Sequence, residues 1–221
     1  MRLRQYASAD WPRRCEIHDS ARRDELAAAG LSSAFLALEQ TGKVRPHKPR
    51  SQVLASIKTA SLLLRPFTRT DAPALFRIMS DASAMQHTYV APSLEHCCAR
   101  LGVYEAMRST LGFAPWVVRA GEDCEVIGWG GLSVDPEAPE WGLEVSYAFS
   151  PPAWGKGYAT ELVQCSLTYA FGPLSAREVH AFVKPENHRS VRVLEKCGFS
   201  HIRYEPRLER NHYLAQVPSA A

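Results

Sequence analysis

Residues Trp154 to Glu161 read WGKGYATE. The stretch before them, Leu143 to Phe149 (LEVSYAF), alternates as a strand does, and the stretch from Tyr158 to Phe171 has the spacing of a long helix. A chain in this order must turn sharply from a sheet into a helix on two glycines. Glycine reaches the left-handed backbone region at little cost and leaves its amide uncovered. The first N–H groups of a helix have no partner within it, and that end carries partial positive charge. The bare turn is therefore either a plain tight turn or a seat for a phosphate or diphosphate. Two common phosphate motifs are excluded. A P-loop needs Ser or Thr after Gly-Lys, but Gly157 follows Lys156. The dinucleotide fingerprint needs three spaced glycines, but Ala159 takes the last place and no acidic residue closes a strand at the usual distance.

The pattern around the turn is that of an α+β domain. LLLRPF reads as a short strand, and Asp71 to Ser80 as a helix with Asp71 as N-cap, Pro73 in the first turn and Leu75, Ile78 and Met79 on one face. Ser93 caps a second helix whose inward positions are Leu94, Cys97, Cys98, Leu101 and Tyr104. Strand-like runs follow at Phe113–Ala120, Cys124–Val134 and Leu143–Phe149, separated by GED and DPEAPE. After the long helix, Arg177–Val183 reads as a strand and Asn187 caps a helix that runs to Cys197 and ends at Gly198. A final hairpin spans roughly His201 to Val217 and turns near Glu209–Asn211. These elements predict a mixed, mostly antiparallel sheet with helices on both faces.

Thr41 to Gln52 (TGKVRPHKPRSQ) is polar and basic with two prolines, and reads as a linker between a leader, 1–40, and a main domain, 53–221. Asp24 to Gln40 reads as one or two short helices. The leader also carries a repeat: LRQYASADWPRRCEI from Leu3 parallels LRPFTRTDAPALFRI from Leu64, matching Arg4 with Arg65, Asp10 with Asp71, Pro12 with Pro73 and Ile17 with Ile78. Either a unit was duplicated or both copies share a common strand–cap–helix grammar. With no strands between it and the linker, the first copy cannot close a sheet alone. It reads as a truncated remnant of the same fold or an extra layer. Residues 1–50 hold ten Lys/Arg against six Asp/Glu, a net of +4, and the rest hold 16 against 17, a net of −1. The main domain thus has no general footprint for nucleic acid. No run of about 18 apolar residues calls for a membrane span, and the first residues lack an apolar signal core. The six cysteines form no CxxC pair and mostly sit among apolar residues, which fits reduced, buried thiols, no metal and a cytoplasmic protein.

WGKGYA resembles the diphosphate-binding turn of the GCN5-related N-acetyltransferases, the GNAT superfamily, whose pattern is Gln/Arg-x-x-Gly-x-Gly/Ala. Trp154 stands at the Gln/Arg position, which departs from the wider family and is similar to the branch that acetylates protein N-termini, including ribosomal-protein alanine acetyltransferases of the RimJ/RimL type. NHRSVRVLEKCGF, Asn187 to Phe199, is similar to the family's N-x-x-S-x-x-V-L-E-K-x-G-F segment. The element order agrees, and the resemblance covers about Ser61 to Val217.

The resemblance implies a splayed sheet and acetyl transfer from acetyl-CoA to an amine by direct attack, with no nucleophilic Cys or Ser. It places the CoA diphosphate on the backbone of Gly155, Lys156, Gly157, Tyr158, Ala159 and Thr160, and pantetheine along the backbone of Ala148, Phe149 and Ser150, where one amide polarises the thioester oxygen. Glu144 is the candidate general base and Ser190 the candidate acid; their alternatives are an exposed strand glutamate and a surface helix serine. Asn187 is both a cap and a CoA contact. Lys156 either meets a phosphate or is a solvated turn lysine, and Tyr158 belongs to the core or the turn. His180 reads as structural, while Trp116, Trp129 and Trp141 are sheet core or acceptor-slot walls. A site with one weak base suits an α-amine, pKa about 7.7–8.0, or a small amine of low pKa better than a lysine at about 10.4. The partners expected are therefore acetyl-CoA and an amine acceptor, either a peptide N-terminus or a small molecule, with the protein a monomer or homodimer. The competing reading is a catalytically inactive CoA-binding or interaction protein with the leader as a docking arm.

Overall fold

The computed structural model describes residues 56–120, 125–135 and 141–217. The leader, its repeat copy, the linker, Cys15, Cys124 and the segments 121–124, 136–140 and 218–221 lie outside the described residues.

One sheet organises the chain: β1 (Ile57–Lys58), β2 (Leu62–Arg65), β3 (Trp116–Ala120), β4 (Glu125–Ser133), β5 (Glu144–Phe149), β6 (Glu178–Val183), β7 (Ser200–Glu205) and β8 (Arg210–Gln216), in the order β1-β2-β3-β4-β5-β6-β8-β7. Every neighbouring pair is antiparallel except β5–β6. Four helices complete the described fold: α1 (Ala72–Met79), α2 (Leu94–Leu111), α3 (Tyr158–Phe171) and α4 (His188–Lys196). They cover both faces, as the alternation of β4 shows. Trp129 meets Tyr104 of α2 at 5.8 Å between ring centroids, while a side chain at the next residue, Gly130, would run into Leu162 of α3. The mixed, mostly antiparallel sheet expected from the sequence is present.

Local chemistry explains most boundaries. Ser93 Oγ accepts from the His96 amide to start α2, and Gly112, at φ 79°, ends it. Asn187 Oδ1 accepts from the Ser190 amide to start α4, and Gly198, at φ 83°, follows it. Strand β3 begins at Trp116 rather than Phe113, because Pro115 has no amide to give a ladder and the Ala114 and Pro115 carbonyls accept from Arg108 instead. The last hairpin turns through Pro206–Leu208 and Glu209, earlier than its sequence suggests. β1, two residues long, has no periodicity by which to see it.

Two expectations change. Asp71 does not cap α1 with its side chain; its carboxylate is fully buried and accepts from Arg65, Arg119 and Thr68. On α2, Leu94 and Cys98 are exposed, and the inward side carries Cys97, Leu101, Met107 and Leu111 together with Arg100 and Arg108. Arginine on an inward face broke the apolar count. The Arg108 head has the Ala114 and Pro115 carbonyls to donate to, and an arginine stem packs as hydrocarbon.

Candidate active site

At the start of α3 the turn has the geometry its glycines permit. Gly155 and Gly157 stand at φ 76° and 84°, and a Cβ on either would meet nothing within 4 Å. Both glycines therefore serve backbone conformation and bareness, not close packing. Among the described residues no hydrogen bond uses the amides of Gly155 to Thr160; the first to find a partner is Glu161, which donates to Gly157 O at 3.0 Å. Six consecutive donors are thus gathered at the positive end of a 14-residue helix. The turn is tied back to the sheet by Trp154, whose Nε1 donates to Phe149 O at 2.9 Å.

Beside the turn the sheet opens. β5 and β6 share a single registered pair, Glu144 with His180, backed by a 2.8 Å bond from the His180 amide to Leu143 O. Beyond it the strands diverge. Antiparallel pairing alternates which residues address the neighbour. The Ser150 amide bonds Ile127 O on the β4 side, so Ala148 also faces β4 and the open edge belongs to Tyr147 and Phe149. Of the three residues expected along pantetheine, Phe149 thus offers its amide to the gap, and the other two do not.

A cavity of about 1070 Å³ runs from this gap to the turn. Its wall includes Ala148 and Phe149 of β5; Gly155, Gly157, Tyr158, Ala159 and Thr160 of the turn; and Asn187 and Ser190 of α4. Ser150, Lys156 and Glu144 are not in the wall. Lys156 is exposed. Sequence reading did not find Tyr147, Arg189, or the segment carrying Gln86, His87 and Thr88, which line the same cavity. Alternation places Tyr147 with the core; that its hydroxyl lies beside Ser190 of α4 shows only in the fold. Both are buried, at 8% and 7% exposure, so Ser190 is not a surface serine. Burial pushes the Tyr147 hydroxyl far up, and the Ser190 hydroxyl beside it acts the other way.

Glu144 sits where the sheet begins to open, 4% exposed, on the opposite face of β5 from Tyr147. It is not an exposed strand glutamate. The nearby cation is Arg210 of β8, which is buried, has Glu144, Glu186 and Glu209 charges around it, and donates to His87 O at 3.1 Å. Arg210 therefore ties the segment at His87 to the sheet. His180 Nδ1 and His212 Nε2 are 2.8 Å apart, and His180 Nε2 is 3.3 Å from Glu178 Oε1. Phe182 stacks on His212, and Trp141 stands edge-on to both. Burial, then the neighbouring His180 and Arg203, pull His212 down to about 4, so His212 is neutral near pH 7. His180 is held between His212 and Glu178 and is not in the cavity wall. Trp116 and Trp129 are core residues, whereas Trp141 covers the histidine pair.

Among the described residues no three His, Cys, Asp or Glu side chains are grouped to hold a metal, and no helix is long and apolar enough to cross a membrane. Cys97 is buried and Cys98 exposed, while Cys165 and Cys197 are half-buried.

Comparison with known proteins agrees with this geometry. Residues 61–200 match the family described as acetyltransferase (GNAT) domain. The chain is 30% identical to the uncharacterized N-acetyltransferase YnaD of Bacillus subtilis over 142 residues, 64% of this chain and 81% of that protein. It shares its fold with RimL, a ribosomal α-N-protein acetyltransferase solved with coenzyme A (TM-score 0.63, 16% identity, 73% of this chain and 98% of that one). It also shares it with a spermidine N-acetyltransferase from Vibrio cholerae solved with CoA and spermine (TM-score 0.58, 19% identity, 72% and 96%). With its opened sheet and its bare turn at the head of α3, the chain belongs to the GNAT family of acetyltransferases.

Proposed function

We propose that the protein moves an acetyl group from acetyl-CoA to a primary amine, either a peptide N-terminus or a small-molecule amine. The observation that carries this is the row of six unused amides, Gly155 to Thr160, five of whose residues (all but Lys156) line a cavity that continues to the gap between β5 and β6. Those amides suit a diphosphate. The Phe149 amide, facing the gap, suits the thioester oxygen, where a fixed donor in a dry site acts on developing charge. The donor supplies an activated acyl carbon and a thiolate leaving group. Ser190, with Tyr147 beside it, lines the same cavity and is suited to give a proton to the departing thiolate. Glu144, at the vertex of the gap, draws the amine proton away through water. RimL and the spermidine acetyltransferase, both solved with CoA, support the choice of donor.

The test is release of free thiol from acetyl-CoA with a panel of peptides and amines. Glu144→Gln is expected to lower kcat by at least roughly 100-fold, the low end for loss of a general base. Ser190→Ala is expected to lower it less, about tenfold, because a CoA thiolate leaves readily. Tight CoA binding without turnover on any amine would instead identify a binding protein.

A further inference from the structure

We infer that Arg189, seated on the indole of Trp154, is a cation that binds the diphosphate of the CoA donor alongside the glycine turn. The inference rests on the proposed CoA site and adds a residue outside the turn motif. Trp154 occupies the position where the family pattern has Gln or Arg, so this chain lacks the usual polar side chain there. What it has instead is a plate. The Trp154 ring is fixed by its bond to Phe149 O, and the Arg189 guanidinium carbon lies 4.8 Å from the ring centroid. Stacking of this kind holds a guanidinium by its face and leaves the N–H edge for a planar or tetrahedral oxyanion.

The charges nearby point the same way. Arg189 is the second residue of α4, where a cation opposes the helix dipole. Arg192 and Lys196 follow on the same cavity-facing side, with His188 next to Arg189 and Glu186 as the acidic residue in the wall. Among the described residues Arg189 makes no ion pair with a carboxylate. Lys156, the cation within the turn itself, is outside the wall. Glu195 of the same helix is outside the wall, so the side of the helix that lines the cavity presents Arg189, Arg192 and Lys196 and is positive, which suits an anion. Because Trp154 directly precedes Gly155, the phosphates nearest Arg189 are those held by the turn, not one at the far end of the donor.

The experiment is calorimetric titration of the full chain with CoA and with 3′-dephospho-CoA. Arg189→Ala is expected to weaken both ligands by the same factor, about tenfold, as loss of one charge-assisted contact implies. Trp154→Leu is expected to weaken them similarly, and the double variant no more than either single one, because the arginine acts through the ring. Unchanged affinity in Arg189→Ala, a loss confined to CoA over 3′-dephospho-CoA, or additive losses in the double variant would overturn the inference. If the wild-type chain binds neither ligand, the proposed function itself fails; the two failures are thereby distinct.

Discussion

Replacing Asp71 with Asn isolates one buried charge. The carboxylate is fully buried and accepts from Arg65 Nη1 at 2.8 Å, Arg119 Nη2 at 3.0 Å, the Thr68 amide at 2.9 Å and Thr68 Oγ1 at 2.7 Å. Burial pushes its pKa up, but the donors together outweigh that and hold it at about 2. An asparagine turns one acceptor into a donor facing donors and leaves two guanidiniums facing a neutral amide. Breaking a buried pair costs about 3–5 kcal/mol. The arginine side chains are 22% and 26% exposed, so water screens them and the lower end, about 3 kcal/mol, applies. That predicts a melting temperature lower by about 6–12 °C for a domain of this size. The acid limb checks the cause. A folded pKa depressed from 3.8 to about 2 gives stability that is present above 3.8 and lost as pH falls through 2. About 1.5 kcal/mol of it is gone by pH 2.5, so in urea titrations the gap between wild type and Asp71→Asn should narrow from about 3 to about 1.5 kcal/mol between pH 6 and 2.5. A gap below about 1 kcal/mol at pH 6, or one that stays constant down to pH 2.5, would refute the reasoning.

Two further outcomes follow from packing and titration. His212, pulled from 6.5 to about 4, contributes stability that is present above 6.5 and lost as pH falls through 4; about 2.5 kcal/mol should be gone by pH 4.5, and His212→Phe should lose that part of the pH slope in urea titrations. A Cβ at Gly130 would stand 2.6 Å from Tyr147 Cβ and 2.7 Å from both Leu162 Cδ2 and Ser146 O, whereas one at Gly102, inside α2, meets nothing within 4 Å. Thermal melts should therefore show Gly130→Ala destabilised by about 2–3 kcal/mol and Gly102→Ala stabilised by about 0.5–1 kcal/mol.

The elements were legible where local chemistry acts alone. The caps Ser93 and Asn187, the glycine ends and the strand–turn–helix around Gly157 depend on neighbours within a few residues, and the sequence shows all of those neighbours. Asp71 shows the limit. Asp followed two residues later by Pro is helix-cap grammar, but the carboxylate went to Arg119, 48 residues away, which no local pattern reveals. Arg65 and Asp71 are nevertheless two of the positions that the Leu3 segment repeats, as Arg4 and Asp10. The site was legible in the same graded way. The turn announced itself through bareness. Tyr147 looked like core because alternation gives a face, not what that face meets. Which amides of β5 face the gap depends on the register with β4, a property of the pair. Arg189 carries no local signal at all: its place over Trp154, 35 residues away in sequence, exists only in the fold.

The contact proposed for CoA is a grip of the peptide amides at the head of α3 on its diphosphate. It is tested most directly by amide proton–nitrogen correlation spectra of the ¹⁵N-labelled chain during titration with CoA. Binding through these groups predicts the largest downfield proton shifts, saturating together, at Gly155, Gly157 and the residues up to Thr160. Saturable binding that leaves these resonances in place while others move would contradict it.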